Sequence, residues 1–430
     1  MDLTAAQTAL LPALPRLRSH YAELCARGLR LDLTRGKPSP EQLDLARDML
    51  ALPGPGDFCA SDGTDTRNYG GVAGLPELRE IFAGFLQVPA AQLLALGNAS
   101  LTLMHDCIVH ALLFPLPGGT LRWLDGPRPA FLCPVPGYDR HFAVCEKFGI
   151  DMIPVPMTAD GPDMAAVESL VAGDPRIKGM WCVPKHSNPT GACYSEHTVR
   201  RLASMRTAAD DFRVFWDNAY AVHHLVADGV EIAPILELCE QAGHPDRVFV
   251  FGSTSKITFA GAGVAFLGSS PANVAWFQRH LATSTIGPDK INQLRHVRYF
   301  RDADGVRAVM ARHREILSPR FALVQQILQD GLGGTGIASW STPLGGYFLS
   351  LDVSPGCAAE VVRLAGQAGV ALTPAGATHP YGHDPEDQTI RLAPSYPSLE
   401  EVEHATRAVV TCVLLAAAEQ QALAGSPAQP

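Results

Sequence analysis

The sequence predicts an α/β protein: a large domain with a mostly parallel sheet, and a second, smaller α/β part. Three observations carry this. From about residue 98 to Gly268, short β-branched and aromatic runs alternate with amphipathic segments, the pattern of parallel strands joined by crossover helices. At 430 residues the chain exceeds the size at which one core keeps growing, so two domains are expected. After about Lys290 a long helical connection leads into another set of strands and helices.

Composition narrows the class. Hydrophobic residues make up 47% and charged residues 18%, ordinary for a globular protein with a large interior. The net charge of −9 and the lack of any Lys/Arg block argue against a nucleic-acid partner. Ten cysteines occur with no Cys-x-x-Cys, which suits reduced, buried thiols better than disulfides or zinc. The start, Met1-Asp2-Leu3-Thr4, lacks the basic and apolar regions of a signal peptide, and Ala408–Ala417 is too short to span a bilayer. The expectation is a cytoplasmic enzyme with no membrane partner.

The elements follow in order. Leu10, Leu14, Leu17, Tyr21 and Leu24 are spaced for a helical arm within residues 1–30. Arg35-Gly36-Lys37-Pro38 breaks the helical pattern, since proline disfavours helix at Lys37 and Gly36 permits close backbone approach. Arg67-Asn68-Tyr69-Gly70-Gly71 reads as a polar loop, followed by a helix with Leu78, Ile81, Phe82 and Phe85 on one face. Gly97-Asn98-Ala99-Ser100 opens an apolar helix, Leu101 to Phe114; such a start either caps the first turn or binds an anion. Strands are expected near Phe131–Cys133, Met152–Val155, Ile177–Val183, Phe212–Trp216, Val248–Phe251 and Val264–Phe266. Helices are expected over Tyr138–Phe148, Met164–Val171 and Glu196–Ala209. Beyond the connection Ile291–Gln329, strands are expected at Gly346–Leu349 and Thr389–Leu392. The last helix opens on a capping box, Ser398-Leu399-Glu400-Glu401, and the tail after Gly425 reads as frayed.

In a parallel sheet, ligands bind beyond the carboxyl ends of the strands. There the chain carries Pro184-Lys185-His186-Ser187-Asn188-Pro189-Thr190-Gly191, then Asp217-Asn218-Ala219-Tyr220, then Ser253-Thr254-Ser255-Lys256. Any one of these loops is ordinary turn chemistry; three at three strand ends point to a site. A lysine at the mouth of an apolar strand has little water around it, so its pKa should fall and its amine become nucleophilic, the state a Schiff base needs. Arg391, in an apolar strand, either holds a carboxylate ligand or makes an internal salt bridge. Gly261-Ala262-Gly263 fails as a dinucleotide fingerprint because Phe266 stands at the third glycine. Pro380 and Gly382 between His379 and His383 argue against a helical metal pair, His223-His224 reads as packing or pocket lining, and no metal is expected.

The set Asn188-Pro189-Thr190-Gly191, Asp217-x-x-Tyr220, Ser253-x-Ser-Lys256 and Arg391 resembles the fold-type I, pyridoxal-phosphate-dependent aminotransferases. Arg35–Pro38, Gly97–Ser100, Ser253–Gly263 and Gly287-Pro-Asp-Lys-Ile-Asn-Gln293 resemble their bacterial class Ic aspartate aminotransferases. The resemblance runs from about residue 30 to 415. It implies a seven-stranded-type sheet in a large domain over 56–295, with 1–55 (arm included) and 296–430 forming a small domain from both chain ends.

The resemblance also implies roles. Lys256 would bind pyridoxal 5′-phosphate covalently and shuttle a proton, and Asp217 would pair with the pyridine nitrogen. Tyr220 and Asn188 would bond the phenolic oxygen, and Tyr138 would stack on the ring. Ala99, Ser100, Ser253 and, from a second subunit, Tyr69 would hold the phosphate, which requires a homodimer with shared sites. Arg391, Asn188 and Gly36 would bind the substrate α-carboxylate. The implied reaction moves an amino group from an L-amino acid, most simply L-aspartate, to 2-oxoglutarate in a ping-pong scheme, so the partners are small amino and 2-oxo acids. Two features depart from the pattern. Ile257 to Phe266 holds no basic residue where relatives carry a phosphate-binding arginine, leaving Lys290 as the candidate. No motif places the reader of a distal carboxylate, for which Arg35 and Lys37 are candidates. The alternatives are another donor specificity (aromatic or aminoadipate-type), a lyase on the same scaffold, or a cofactor-sensing regulator.

Overall fold

The computed structural model describes residues 10–424. The first nine residues of the expected arm and the tail after Gly425 lie outside the described residues. From Leu14 to Ala26 the arm is helical, as its leucine spacing predicts.

Eight strands form the large sheet: β1 (Leu93–Ala95), β2 (Ala130–Val135), β3 (Asp151–Thr158), β4 (Gly161–Pro162), β5 (Ile177–Cys182), β6 (Arg213–Asp217), β7 (Val248–Ser253) and β8 (Ala265–Gly268). Their order is β1-β8-β7-β6-β5-β2-β3-β4. The pairs from β7 through β3 are parallel, while β8 runs antiparallel to both its neighbours. The sheet therefore holds seven main strands plus the two-residue β4, which turns back antiparallel on β3 at Gly161, where φ is +117°.

Alternation along each strand explains why both faces are covered. Phe131, Trp181, Phe215 and Phe249 point to one side, into a cluster with the helices Ser100–Leu113 and Pro271–Leu281. Leu132, Met180, Val214 and Val250 point to the other, against the helices Pro76–Leu86 and Glu196–Ser204. Each large apolar side chain so buried contributes about 1.5–3 kcal/mol. This packing fixes the carboxyl ends of β5, β6 and β7 side by side at one edge.

A second core lies around the antiparallel strands β9 (Ala338–Trp340), β10 (Leu349–Val353) and β11 (Thr389–Leu392). Both chain ends supply it. Leu24 and Leu33 pack with Leu349, Leu351, Ile390 and Leu392, and Leu31–Asp32 pairs in parallel with Val370–Ala371. The helix Ala303–Leu332 joins the two cores: Val306, Val309 and Met310 pack in the first, and Val324, Ile327 and Leu328 in the second.

Two expectations change here. The strand expected at Gly346–Leu349 starts only at Leu349, because Gly346 turns with φ +80°. The apolar run at 408–417 belongs to a helix of 26 residues, Leu399–Ala424, opened by the predicted Ser398/Glu401 box. By length and composition alone that helix could cross a membrane, but Val402, Ala405, Val409, Cys412 and Val413 are packed in the second core.

Candidate active site

The three polar loops meet where β5, β6 and β7 end, beneath the second unit. They line a cavity of about 580 Å³. Ten of the eleven site residues predicted from sequence border it: Gly36, Ala99, Ser100, Tyr138, Asn188, Asp217, Tyr220, Ser253, Lys256 and Arg391. Tyr69 does not; it stands on the surface, 81% exposed.

Lys256 follows the β7 end by three residues. Its turn is held from behind: the Thr254 hydroxyl accepts the Val264 N–H, and the Tyr347 hydroxyl donates to the Lys256 carbonyl at 3.2 Å. The amine has no hydrogen-bond or ion-pair partner among the described residues and lies 5.1 Å from the Tyr220 ring centroid. Burial lowers its pKa, and the Asp217 charge partly opposes that shift. Read along the sequence, the lysine has no acid nearby; β6 brings one.

Asp217 ends β6 and is buried. His141 Nε2 lies 3.0 Å from its Oδ2, while Oδ1 has no partner. The His141 ring is stacked on Trp181, centroids 4.3 Å apart and planes 7° apart, which fixes its orientation. Sequence reasoning missed His141. Its signal is a histidine one helical turn after Tyr138, on the inward face of the helix Asp139–Lys147. Tyr138 precedes that helix, its hydroxyl pKa pushed up to about 12 by burial and then by the Asp217 charge. Tyr220 is buried and its pKa stands well above the usual range, burial being the main cause.

The helix Ser100–Leu113 begins at the cavity wall with no side-chain cap and no acidic residue in its first turn. The positive end of its dipole and the N–H groups that no side chain caps there suit an anion. Ser253 Oγ donates to Ser255 Oγ at 3.1 Å, and Ser255 Oγ to the Asn98 carbonyl at 3.2 Å, tying the lysine loop to this helix start.

Across the cavity, Arg391 on β11 is nearly buried. Its Nη1 lies 2.8 Å from Asp139 Oδ1, its guanidinium carbon 4.9 Å from the Phe348 ring centroid, and its Nε has no partner. Arg391 thus makes the internal salt bridge that one sequence reading expected, with Asp139, and it also borders the cavity. Gly36 is needed because a Cβ there would stand 2.4 Å from Phe348 Cζ. Asn188 is buried, its Oδ1 without a partner, and the Asn188–Pro189 peptide bond is cis.

The basic candidates separate. Arg35 borders the cavity and Lys37 does too, with its Nζ 3.8 Å from the Tyr396 ring centroid. Arg140, not singled out from sequence, also borders it. Lys290 does not: it is buried elsewhere, donating to the carbonyl oxygens of Asn68 and Gly70. His223 is packed beneath the lysine loop, its Nε2 3.3 Å from the Lys256 carbonyl oxygen.

An α/β sheet with an unpaired lysine and a buried aspartate at neighbouring strand ends fits a pyridoxal-phosphate-dependent enzyme of fold type I. The comparisons with known proteins agree. The family model described as aspartate amino-transferase matches residues 5–425, and the chain belongs to that family. It is 53% identical over 406 residues to the aspartate aminotransferase of Corynebacterium glutamicum, covering 94% of each chain. A solved aspartate transaminase from Corynebacterium glutamicum superposes with a TM-score of 0.94 at 51% identity, covering 98% of each chain. The α-aminoadipate aminotransferase LysN of Thermus thermophilus, solved with N-(5′-phosphopyridoxyl)-L-leucine, shares the fold at TM-score 0.72 and 21% identity, covering 92% of this chain and 95% of that one. The protein is an aminotransferase, and its substrates are amino and oxo acids.

Proposed function

We propose that the protein transfers the amino group of L-aspartate to 2-oxoglutarate by a ping-pong scheme at this cavity, as a homodimer with shared sites. The observation that carries the reading is the pairing, in one cavity, of a partnerless Lys256 amine with a buried Asp217 whose Oδ1 is unsatisfied.

The residues fit pyridoxal phosphate. An orphaned carboxylate oxygen at Asp217 suits a protonated ring nitrogen, the Tyr138 ring suits a heterocycle face, and the uncapped helix start at Ser100 suits a phosphate. When bound, the cofactor supplies an electron sink for charge that develops at the substrate Cα. The chain supplies the rest. Lys256 Nζ is the group that would hold the cofactor's aldehyde, and as a free amine it would take and return the substrate Cα proton; its lowered pKa keeps it able to accept one. His141 holds Asp217 through Oδ2 and leaves Oδ1 without a partner. Tyr220 and the Asn188 side chain supply the groups for the phenolic oxygen.

Arg391 binds the α-carboxylate with its free Nε and with the Nη1 now held by Asp139; a planar guanidinium suits two-point recognition. The preference for aspartate rests on the bases at the cavity, Arg35, Lys37 and Arg140, which suit a second carboxylate. Gly36, which also borders the cavity, would assist Arg391 at the α-carboxylate through its amide.

A donor screen of purified, cofactor-loaded protein with 2-oxoglutarate tests this. L-glutamate should form fastest from L-aspartate. Faster turnover with an aromatic amino acid or aminoadipate would replace the donor, and ammonia release with no oxo acid present would replace the reaction class.

A further inference from the structure

Lys290 opens the helix Lys290–Phe300 and is 3% exposed. No carboxylate pairs with it among the described residues. Its Nζ donates instead to two carbonyl oxygens, Asn68 at 2.8 Å and Gly70 at 2.7 Å, the residues on either side of Tyr69. Asn68 Oδ1 accepts the Tyr69 N–H at 2.8 Å, and the Asn68 N–H donates to the Asp65 carbonyl. From the other side the turn before the helix lies directly on the loop. A Cβ on Gly287 would stand 2.4 Å from the Gly70 oxygen, so only glycine fits there.

The backbone around Tyr69 is thus held on all sides, yet its ring is 81% exposed and its hydroxyl has no partner among the described residues. Burying an ammonium costs several kcal/mol unless hydrogen bonds offset it, so this is an expensive way to hold a loop whose only product is one projecting phenol. Two more exposed apolar side chains bracket the clamp, Ile286 (62%) next to Gly287 and Ile291 (40%) next to Lys290. An exposed tyrosine on a held loop beside exposed isoleucines suits a contact surface, and the shared-site dimer proposed above makes a second copy of this chain its occupant. By the Ser100 helix start the cavity wall offers the Ser100, Ser253 and Ser255 hydroxyls, and the stretch Ile257 to Phe266 after the lysine holds no basic residue.

We propose that Lys290 is a positioning residue: through the two carbonyls it fixes Tyr69 so that the phenol enters the phosphate end of the cavity in a second copy. The inference rests on the shared-site dimer proposed above. The missing phosphate-binding arginine is thereby offset by a hydroxyl that a buried cation holds in place from the other subunit.

The test compares pyridoxal phosphate with pyridoxal, which lacks the phosphate, as ligands of cofactor-free protein. Lys290→Met and Tyr69→Phe should each weaken the phosphate ester about tenfold, the worth of one hydrogen bond to a charged oxygen. Both should leave pyridoxal affinity unchanged, and the double variant should be no worse than either single one. If Tyr69→Phe alone acts on the phosphate ester, or Lys290→Met weakens both ligands alike, the assignment of Lys290 is wrong. If Tyr69→Phe changes neither, the shared-site reading itself fails. Should Lys290→Met not fold, Lys290→Ala, which likewise leaves both carbonyls without their donor, decides by the same selectivity.

Discussion

Arg391 and Asp139 face each other at 2.8 Å across the cavity, one on a strand of the second unit and the other on a helix of the first. The contact holds the guanidinium in place, and on the role proposed for Arg391 it puts an anion where a substrate carboxylate would bind. Asp139→Asn should therefore lower KM for amino donors several-fold with little change in kcat. Steady-state kinetics check this, and a raised KM would mean that Asp139 orients Arg391 rather than competing for it.

Removing the arginine should do the opposite. On the role proposed for Arg391, Arg391→Leu would delete a buried, charge-assisted contact to the substrate, worth about 2–5 kcal/mol when one partner is truncated. The expected result is a fall of kcat/KM by roughly 30-fold or more. Arg391→Lys should recover little, because an ammonium cannot reproduce the planar fork.

Asp217 and His141 should separate by size of effect. Asp217→Ala removes the anion itself and should reduce kcat on the order of 100-fold or more. His141→Phe keeps the stack on Trp181 and loses only the hydrogen bond, so a smaller loss is expected. Equal losses would give His141 a more direct part in the chemistry.

The pH dependence follows from Lys256. Burial lowers its pKa, so the neutral amine is present at a lower pH than for a free lysine. The rate at which cofactor-free protein captures pyridoxal phosphate should rise with pH, with a midpoint below that of free lysine. The Asp217 charge raises the lysine pKa, so Asp217→Asn should move the midpoint further down. An upward move would contradict the electrostatics described here.

Much of this site could be read from sequence because of where parallel strands end. Asn188, Asp217, Tyr220, Ser253 and Lys256 each follow an apolar run, and a strand's end fixes which way the next loop faces. Arg391 was visible for the opposite reason, a charge in an otherwise apolar strand. His141, Asp139 and Arg140 were not, because they lie in the first turn of an ordinary amphipathic helix and gain their roles only from what the sheet places opposite. Lys290 shows the same limit. As an isolated cation it read as a phosphate ligand, and only the fold reveals the two carbonyls that engage it. The extended run Gly346–Leu349 misled because Tyr347 and Phe348 are buried as packing against the lysine loop and Gly36, not as strand residues.

The central claim is that the Lys256 amine is the group that binds the cofactor covalently. Borohydride treatment of protein saturated with pyridoxal phosphate, followed by peptide mapping, tests it most directly. A pyridoxyl group should appear on the peptide containing Lys256 and be absent from Lys256→Ala, which should also lose turnover. A label on another lysine, or sustained turnover by Lys256→Ala, would contradict it.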